Sequence, residues 1–203
     1  MTHLRILCEG EATEPQYLRA LTAHLGLTAH VEISCATSPD PQRLLTAAYA
    51  KGAGETWLVL DAESHSRDAV RARRLSKVVA QALEKTYPRL ALSNPCFEYW
   101  LLLHEMPDPR ALATPARIVA RLEKLWGRPY RKGALPLERL IENGRWKDAL
   151  ERARALRQNA GPLTTAGQWL RQRPFTTVDA LVERLVLLSG SVCAAGAPSG
   201  EPR

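Results

Sequence analysis

Carboxylate side chains follow two hydrophobic segments of the chain, at the points where those segments end. Residues 4–8 (LRILC) lead into Glu9, and residues 57–60 (WLVL) lead into Asp61 and Glu63. If both segments are parallel strands of one sheet, their carboxyl ends meet in the crevice where open α/β sheets bind ligands. Carboxylates gathered there repel one another, and a divalent cation relieves the repulsion. The pattern therefore predicts a Mg²⁺ or Mn²⁺ site, and with it chemistry on phosphates.

The spacing of these carboxylates suits metal-dependent catalysis. Asp61 and Glu63 are separated by one residue, so on an extended segment their side chains share one side, about 7 Å apart. Gly10 allows a sharp turn directly after Glu9, which can aim the glutamate into the crevice. Glu9, Asp61 and Glu63 are therefore predicted to be metal ligands and catalytic residues. Glu14 also suits the positive end of the following helix, and we expect it to support the site.

A second unusual stretch, residues 93–104 (SNPCFEYWLLLH), places polar residues before a strongly apolar helix. The proline after Asn94 favours an extended backbone there, and a helix is predicted to begin directly afterwards. Glu98 falls in the first turn of that helix, where the helix dipole favours an anion. Glu98 is thus either a helix-start residue or a further catalytic carboxylate over the same crevice, and Asn94 is expected to support the site. His104 suits a helix C-terminus better than a ligand position.

The net charge is +7 and lies mainly in the second half of the chain. Residues 1–106 carry about as many basic as acidic side chains, whereas residues 107–190 carry twice as many basic ones. A basic region beside clustered carboxylates suits an enzyme that holds a polyanion next to a metal, although basic helices also serve simply to keep a protein soluble. The predicted nucleic-acid contacts are Arg131, Lys132 and Arg152.

Other classes of chemistry lack their motifs. The sequence contains no Walker A motif, no G-x-G-x-x-G, no H-E-x-x-H and no G-x-S-x-G, so P-loop hydrolysis and serine acyl transfer have no support. The four cysteines are scattered without a C-x-x-C pair, which argues against zinc and disulfides and predicts a cytoplasmic location. No segment stays apolar for the roughly 18 residues of a membrane span, and no signal peptide is evident, so we expect no membrane association.

The first half alternates strand and helix patterns, which predicts an α/β fold: a mostly parallel sheet of about four strands, flanked by helices. The expected strands are 3–8, 31–35, 56–60 and 90–93, and the helices between them are 15–25, 41–49 and 68–87. Helices then dominate, at 97–104, 114–126, 135–143, 146–158 and 178–188. The sequence thus predicts a core over 1–106, a basic helical extension over 107–189 packed on it, and a flexible tail over 190–203.

Several blocks of the sequence resemble one family. Residues 8–17 (CEGEATEPQY) resemble the opening motif of RloB-like proteins, the AbiLii-like side of abortive phage-infection systems. Residues 93–104 resemble that family's long SNPcFElWlLLH block. Shorter elements at 130–132, 149–153 and 176–182 resemble its Y-x-K, A-x-x-R-A and T-x-V-x-x-L-V elements. The resemblance runs from about residue 4 to residue 188, nearly the whole chain.

This resemblance implies a fold and an activity. RloB-like proteins are similar to the Toprim fold of topoisomerases, primases and OLD-family nucleases, which implies a glutamate after the first strand and a D-x-D motif after the third, binding Mg²⁺ for phosphodiester chemistry. Glu9 and Asp61 match these positions. Glu63 stands where the second aspartate is expected, and its longer side chain would shift the ion. The resemblance also implies an AAA-type or ABC-type ATPase as a protein partner.

The sequence therefore predicts a Mg²⁺- or Mn²⁺-dependent nuclease, or nuclease subunit, of prokaryotic antiphage defence, acting on DNA or RNA. Glu9 is expected to act as general base or acid, Asp61 and Glu63 to hold metal, and Glu98 with Glu14 to complete the site. Two alternatives remain. The Glu63 departure fits a non-catalytic metal-binding or regulatory subunit of a defence ATPase complex. The chain could also be a phosphoacceptor receiver domain with Asp61 phosphorylated, although no fifth strand ending in lysine is visible.

Overall fold

The computed structural model describes residues 3–36, 40–50, 54–62 and 68–195 of the chain. Glu63, one of the predicted metal ligands, lies outside the described residues. The end of the predicted tail, from residue 196 onward, lies outside them as well.

A five-stranded sheet forms the centre of the described structure. Its strands are β1 (Leu4–Cys8), β2 (Val31–Cys35), β3 (Glu55–Asp61), β4 (Arg89–Asn94) and β5 (Phe175–Thr176). The strand order is β2-β1-β3-β4-β5, in which the first four strands are parallel and β5 is antiparallel to β4. The predicted α/β fold with a mostly parallel sheet is therefore confirmed, and it is consistent with a Rossmann-like architecture.

Helices connect and cover the strands. They are α1 (Thr13–His24), α2 (Pro41–Ala50), α3 (Ala69–Lys85), α4 (Glu98–Leu103), α5 (Pro115–Trp126), α6 (Arg145–Ala160), α7 (Ala166–Arg171) and α8 (Val178–Ala195). A π-helical turn, Glu138–Glu142, lies before α6, inside the segment predicted as a helix over 135–143. Every described helix is too short or too polar to span a lipid bilayer.

Both faces of the sheet are buried, which explains the unbroken apolar runs of its strands. Because side chains alternate along a strand, Trp57 and Val59 enter one apolar core while Leu58 and Leu60 enter the other. The first core is completed by residues of α1, α4, α5, α6 and α8. The second, smaller core is completed by residues of α2, α3 and α7.

The C-terminal part of the chain adds a fifth strand that the sequence did not predict. Asn94, at the end of β4, donates from its side-chain amide to the carbonyls of Leu170 and Gln172, at 2.9 and 2.8 Å. The backbone N–H of Thr177 donates to the Leu92 carbonyl at 2.9 Å. The following helix α8 ends at Ala195, further along than the predicted end at residue 188. The helical region is therefore hydrogen-bonded to the sheet edge.

Candidate carboxylate site

Glu9 and Asp61 lie side by side at the carboxyl edge of the sheet, because β1 and β3 are adjacent parallel strands that end there. The last paired residues of these strands are Cys8 and Val59. Just beyond them, the backbone N–H of Glu9 donates to the Val59 carbonyl at 3.0 Å. The backbone N–H of Asp61 then donates to Oε2 of Glu9 at 3.1 Å. The Glu9 side chain thus bridges two strand ends and is only 8% exposed.

The negative charge of Glu9 is balanced by the side chain of Arg71. The guanidinium of Arg71 forms an ion pair with Oε1 of Glu9. Arg71 is placed there by the start of α3, where Asp68 caps the helix by accepting hydrogen bonds from the N–H groups of Val70 and Arg71. Partial burial lowers the pKa of Arg71, but arginine stays charged at physiological pH. The sequence alone does not single out Arg71, because residues 71–77 carry four basic side chains at similar spacings.

A second pair of carboxylates, Glu14 and Glu98, lies against the same loop. The Glu14 carboxylate packs directly on Gly10, so closely that a side chain at position 10 would meet it: a Cβ built there lies 2.7 Å from the Glu14 Cδ. Burial raises the pKa of Glu14, and the negative charge of nearby Glu98 raises it further, while Lys132 lowers it. Gly10 is therefore needed for close approach, and Glu14 and Glu98 are near neighbours.

Tyr130 connects this second pair to the segment after α5. Its hydroxyl donates to Oε1 of Glu98 at 2.6 Å and lies 2.9 Å from the hydroxyl of Thr13. Its backbone N–H donates to the Glu123 carboxylate at 2.9 Å, which fixes the loop that follows the helix. Burial and the Glu98 charge both raise the pKa of Tyr130, so the phenol stays protonated as a donor. The sequence showed Tyr130 only as part of a motif and gave no sign of this bond.

A cleft of about 330 Å³ opens beside these carboxylates. Its walls include Glu9, Gly10, Glu14, Ala36 and Lys132. The exposed Lys132 therefore lies at the carboxylate cleft, as expected of a residue that contacts a phosphate. The cleft is large enough for a phosphate group and bears opposite charges on its walls.

Other predicted residues lie elsewhere. Arg152 donates to the carbonyl of Leu103, at the C-terminal end of α4, whereas Glu98 begins that helix. Arg131 is exposed beside Lys132 but does not line the cleft. Asn94 is buried and holds the segment before β5, as described above. The structure therefore joins Glu9 with Asp61, and Glu14 with Glu98 and Lys132.

The buried His104 belongs to the core. Its Nδ1 lies 3.0 Å from the carbonyl of Trp100, and its Nε2 lies 3.0 Å from the hydroxyl of Tyr17. The carbonyl can only accept, so Nδ1 carries the proton and Nε2 accepts from Tyr17. Burial lowers the pKa of His104 to about 4, so the ring is neutral at physiological pH. The hydrogen bond between Tyr17 and His104 therefore helps to hold α1 against the end of α4.

Two carboxylates of the described site, those of Glu9 and Asp61, are of the type that binds Mg²⁺. Among the described residues, no group of three or more His, Cys, Asp or Glu side chains is arranged to hold a metal. Mg²⁺ does not require such a group, because proteins bind it through one or two carboxylates while waters and substrate phosphates fill the remaining positions. Glu9 and Asp61 supply two carboxylates from adjacent strands. A metal ion bound by Glu9 would lie beside Arg71, which forms an ion pair with the same carboxylate.

Comparison with known proteins gives a family. No curated protein and no solved structure matches the chain. The family model described as RloB-like protein matches residues 4–185, which include all the carboxylates of the site and every described strand. The chain therefore belongs to the RloB-like family, which is associated with phage-defence and restriction-like systems.

Proposed function

We propose that this chain is a Toprim-like, metal-dependent nuclease, or the nuclease subunit of a phage-defence system, that cleaves phosphodiester bonds in DNA or RNA. One observation carries the proposal: the Glu9 carboxylate accepts a hydrogen bond from the backbone N–H of Asp61, on the adjacent parallel strand, and Glu9 lines a cleft whose walls also include Lys132. Carboxylates at this edge of a parallel sheet suit ligand binding, and a lysine beside them suits a phosphate.

Each residue has a definite part in this proposal. Glu9 and Asp61 would hold Mg²⁺ or Mn²⁺, with Glu63 as a further ligand. The bound ion supplies Lewis-acid stabilisation of the phosphate oxygens. Glu9 also acts as general base or acid, since its carboxylate is the more buried of the two. Lys132 binds a phosphate oxygen.

The remaining polar residues keep the cleft in shape. Glu98 accepts from Tyr130 and thereby holds the segment that carries Lys132. Glu14 packs on Gly10 and fixes the turn that follows Glu9. Both glutamates act on the position of other groups in this proposal, and the exposed Arg131, next to Lys132 in the sequence, is a further candidate phosphate contact outside the cleft.

A purely structural or regulatory role is the second candidate, and one observation favours it. Glu9 already has an ion pair with Arg71 and a hydrogen bond from the Asp61 backbone, so it is satisfied as a strand-end acceptor without any metal. In that case the chain would serve as a binding or regulatory subunit of a defence ATPase complex. The receiver-domain alternative has less support, because β5 is antiparallel and contains no lysine.

The deciding experiment is cleavage of plasmid, single-stranded DNA and tRNA with Mg²⁺ or Mn²⁺, comparing wild type with Asp61→Ala. The matched control is Glu84→Ala, which removes an exposed carboxylate on α3 far along the chain from the cleft residues. We expect metal-dependent cleavage that falls at least about a hundredfold in Asp61→Ala and is unchanged in the control. Equal cleavage by Asp61→Ala would contradict the assigned site.

A second readout does not depend on activity. If Glu9 and Asp61 hold the ion, Mg²⁺ raises the thermal unfolding temperature of the wild type, since a ligand that binds only the folded state stabilises it. The increase disappears in Asp61→Ala and persists in Glu84→Ala. If neither cleavage nor stabilisation is found with the isolated chain, the assays are repeated with the AAA-type or ABC-type ATPase that we propose as its partner. Failure there as well favours the regulatory candidate.

A further inference from the structure

A separate groove lies between α2 and α3, on the face of the sheet away from α4 and α5. Its volume is about 590 Å³, larger than that of the carboxylate cleft. The side chains that matter in its walls are Asp40, Arg43, Val70, Arg73, Arg74 and Lys77. Four of the eight lining residues are cationic and one is acidic, so the groove is positively charged.

The positions of these cations follow from the geometry of the two helices. Val70, Arg73, Arg74 and Lys77 are spaced i, i+3, i+4 and i+7 along α3, so they share one helix face. The opposite face of α3, with Leu75 and Val78, is buried against the sheet. Arg43 extends from the first turn of α2 toward the same groove. The cations are thus held by two packed helices.

Most of the cations in this groove form no ion pair with an acidic side chain of the part of the chain that the structure describes. Arg74 forms an ion pair with Asp40. Within the described ranges, no ion pair neutralises Arg43, Arg73 or Lys77. All three side chains are exposed. Three like charges that face one groove repel one another, and a bound polyanion relieves that repulsion.

The second half of the chain, where the sequence places the basic excess, is different. Many of its arginines are used in ion pairs within the protein: Arg139 and Arg145 with Glu105, Arg154 with Glu183, Arg157 with Asp179, and Arg184 with Glu55. The guanidinium groups of these five arginines are therefore already engaged within the protein. The groove in the first half differs because its cations line one cavity between two packed helices, which makes it our candidate for a polyanion site.

The groove is also next to the carboxylates. Both α2 and α3 begin at the carboxyl edge of the sheet, after β2 and β3. Arg71, which pairs with Glu9, lies in the first turn of α3, and Arg73 and Arg74 follow in the same turn and the next. Lys77 is about 9 Å from Arg71 along the helix axis. At one phosphate per roughly 3.4 Å of duplex axis in each strand, this length accommodates two to three phosphates.

We propose that the groove between α2 and α3 binds the sugar-phosphate backbone of the nucleic-acid strand whose phosphodiester lies at the Glu9–Asp61 edge. Arg43, Arg73 and Lys77 contact successive phosphates and hold the strand in register with the carboxylates. Contacts to phosphates position a strand without reading its sequence, so binding here is largely sequence-independent. The inference rests on the proposed nuclease function, and it specifies the path of the substrate.

The test is equilibrium binding of fluorescent single-stranded DNA, duplex DNA and RNA to the full chain in EDTA, where no metal-dependent cleavage occurs. The test variant is R43Q/R73Q/K77Q, which spares the Arg74–Asp40 pair. The control is R117Q/K124Q/K147Q, which removes the same charge from exposed positions on α5 and α6, on the other face of the sheet. Thermal unfolding of each variant verifies that it is folded, and R73K, which preserves the charge, should bind nearly as wild type does.

We expect the groove variant to bind at least about tenfold more weakly, and its slope of log affinity against log salt to be smaller by about two to three. The control should change binding much less. Equal losses in both variants would mean attraction by net charge alone and would overturn the groove. Unchanged binding by the groove variant, with Asp61-dependent cleavage intact, would contradict the proposed nucleic-acid site in the groove. The proposed nuclease function would not be affected. Absence of binding by the wild type to all three nucleic acids would overturn the groove as well.

Discussion

The carboxylate of Glu9 accepts a hydrogen bond from the backbone N–H of Asp61, with Oε2 and N separated by 3.1 Å. The side chain of one predicted site residue thus holds the backbone of the other, across two strands that are far apart in sequence. The second oxygen of Glu9 faces Arg71. Removing the charge of Glu9 and removing its hydrogen bond are therefore separable experiments.

Glu9→Gln and Glu9→Ala should differ in stability. The glutamine keeps an oxygen for the Asp61 N–H but loses the ion pair with Arg71, whereas alanine loses both. We expect the free energy of unfolding to fall by about 1–2 kcal/mol in Glu9→Gln and by about 1–3 kcal/mol more in Glu9→Ala. Urea unfolding measures both. Equal stability of the two variants would show that the hydrogen bond from the Asp61 N–H contributes nothing to stability. Glu84→Gln is the control for loss of an exposed carboxylate.

Gly10→Ala should destabilise the protein through Glu14. A Cβ at position 10 meets the Glu14 carboxylate, so the end of the glutamate side chain must shift. Overpacking of this kind costs about 1–3 kcal/mol, measured by urea unfolding. The double variant Gly10→Ala/Glu14→Ala should cost less than the sum of the two single changes, by at least about 0.5 kcal/mol.

Gly190→Ala is the contrasting control for this effect. Gly190 lies in α8, and a Cβ there meets no atom within 4 Å. Alanine at that position should stabilise the helix by about 0.5–1 kcal/mol. If the losses in free energy of unfolding of Gly10→Ala and Glu14→Ala simply add in the double variant, position 10 does not contact Glu14.

Tyr130→Phe should destabilise the protein because it removes the donor to a buried carboxylate. The Tyr130 hydroxyl lies 2.6 Å from Oε1 of Glu98, which is only 7% exposed. Hydrogen bonds to charged groups are worth about 1.5–3 kcal/mol, and we expect a loss of that size in urea unfolding. Tyr49→Phe is the control, since its hydroxyl donates to the Tyr87 carbonyl near the surface and its loss should cost under about 1 kcal/mol. Similar costs for both would argue against a structural role of Glu98.

The sequence predicted the first four strands and the convergence of Glu9 with Asp61, because long apolar runs and parallel topology are local and regular signals. It missed β5, a strand of two residues, because so short a segment has no periodicity, and it missed α7 for the same reason. It could not place Arg71 on Glu9, since such a contact depends on how α3 is oriented. It also placed the basic excess in the second half without showing that some of those arginines pair with Glu55 and Glu105 of the first half.

Asn94→Ala should affect stability more than chemistry. The side-chain amide of Asn94 donates to two carbonyls of the segment before β5, those of Leu170 and Gln172. Alanine leaves both acceptors without this donor, and we expect a loss of about 2–4 kcal/mol in the free energy of unfolding. The exposed Asn143 is the control, and Asn143→Ala should change stability by under about 0.5 kcal/mol. At a temperature where the variant is fully folded, its cleavage rate should match that of the wild type. A large loss of rate in the folded variant would instead indicate that Asn94 supports the carboxylate site.

His104 should make the protein sensitive to acid. Burial lowers the pKa of His104 to about 4 in the folded state, compared with an ordinary value of 6.5. Because the unfolded chain takes up the proton first, the free energy of unfolding falls as the pH drops from about 6.5 toward 4. This contribution is fully present above pH 6.5. The difference between the two pKa values corresponds to a change of about 3 kcal/mol in the free energy of unfolding between pH 6.5 and pH 4.

His104→Gln isolates that dependence. The variant is less stable at pH 7, because the ring no longer bridges the Tyr17 hydroxyl and the Trp100 carbonyl. Its free energy of unfolding should nevertheless decline less steeply than that of the wild type between pH 6.5 and 4, as measured by urea unfolding at several pH values. If His104→Gln retains the wild-type slope, the folded protein protonates the ring as readily as the unfolded chain does, and the lowered pKa of His104 is wrong.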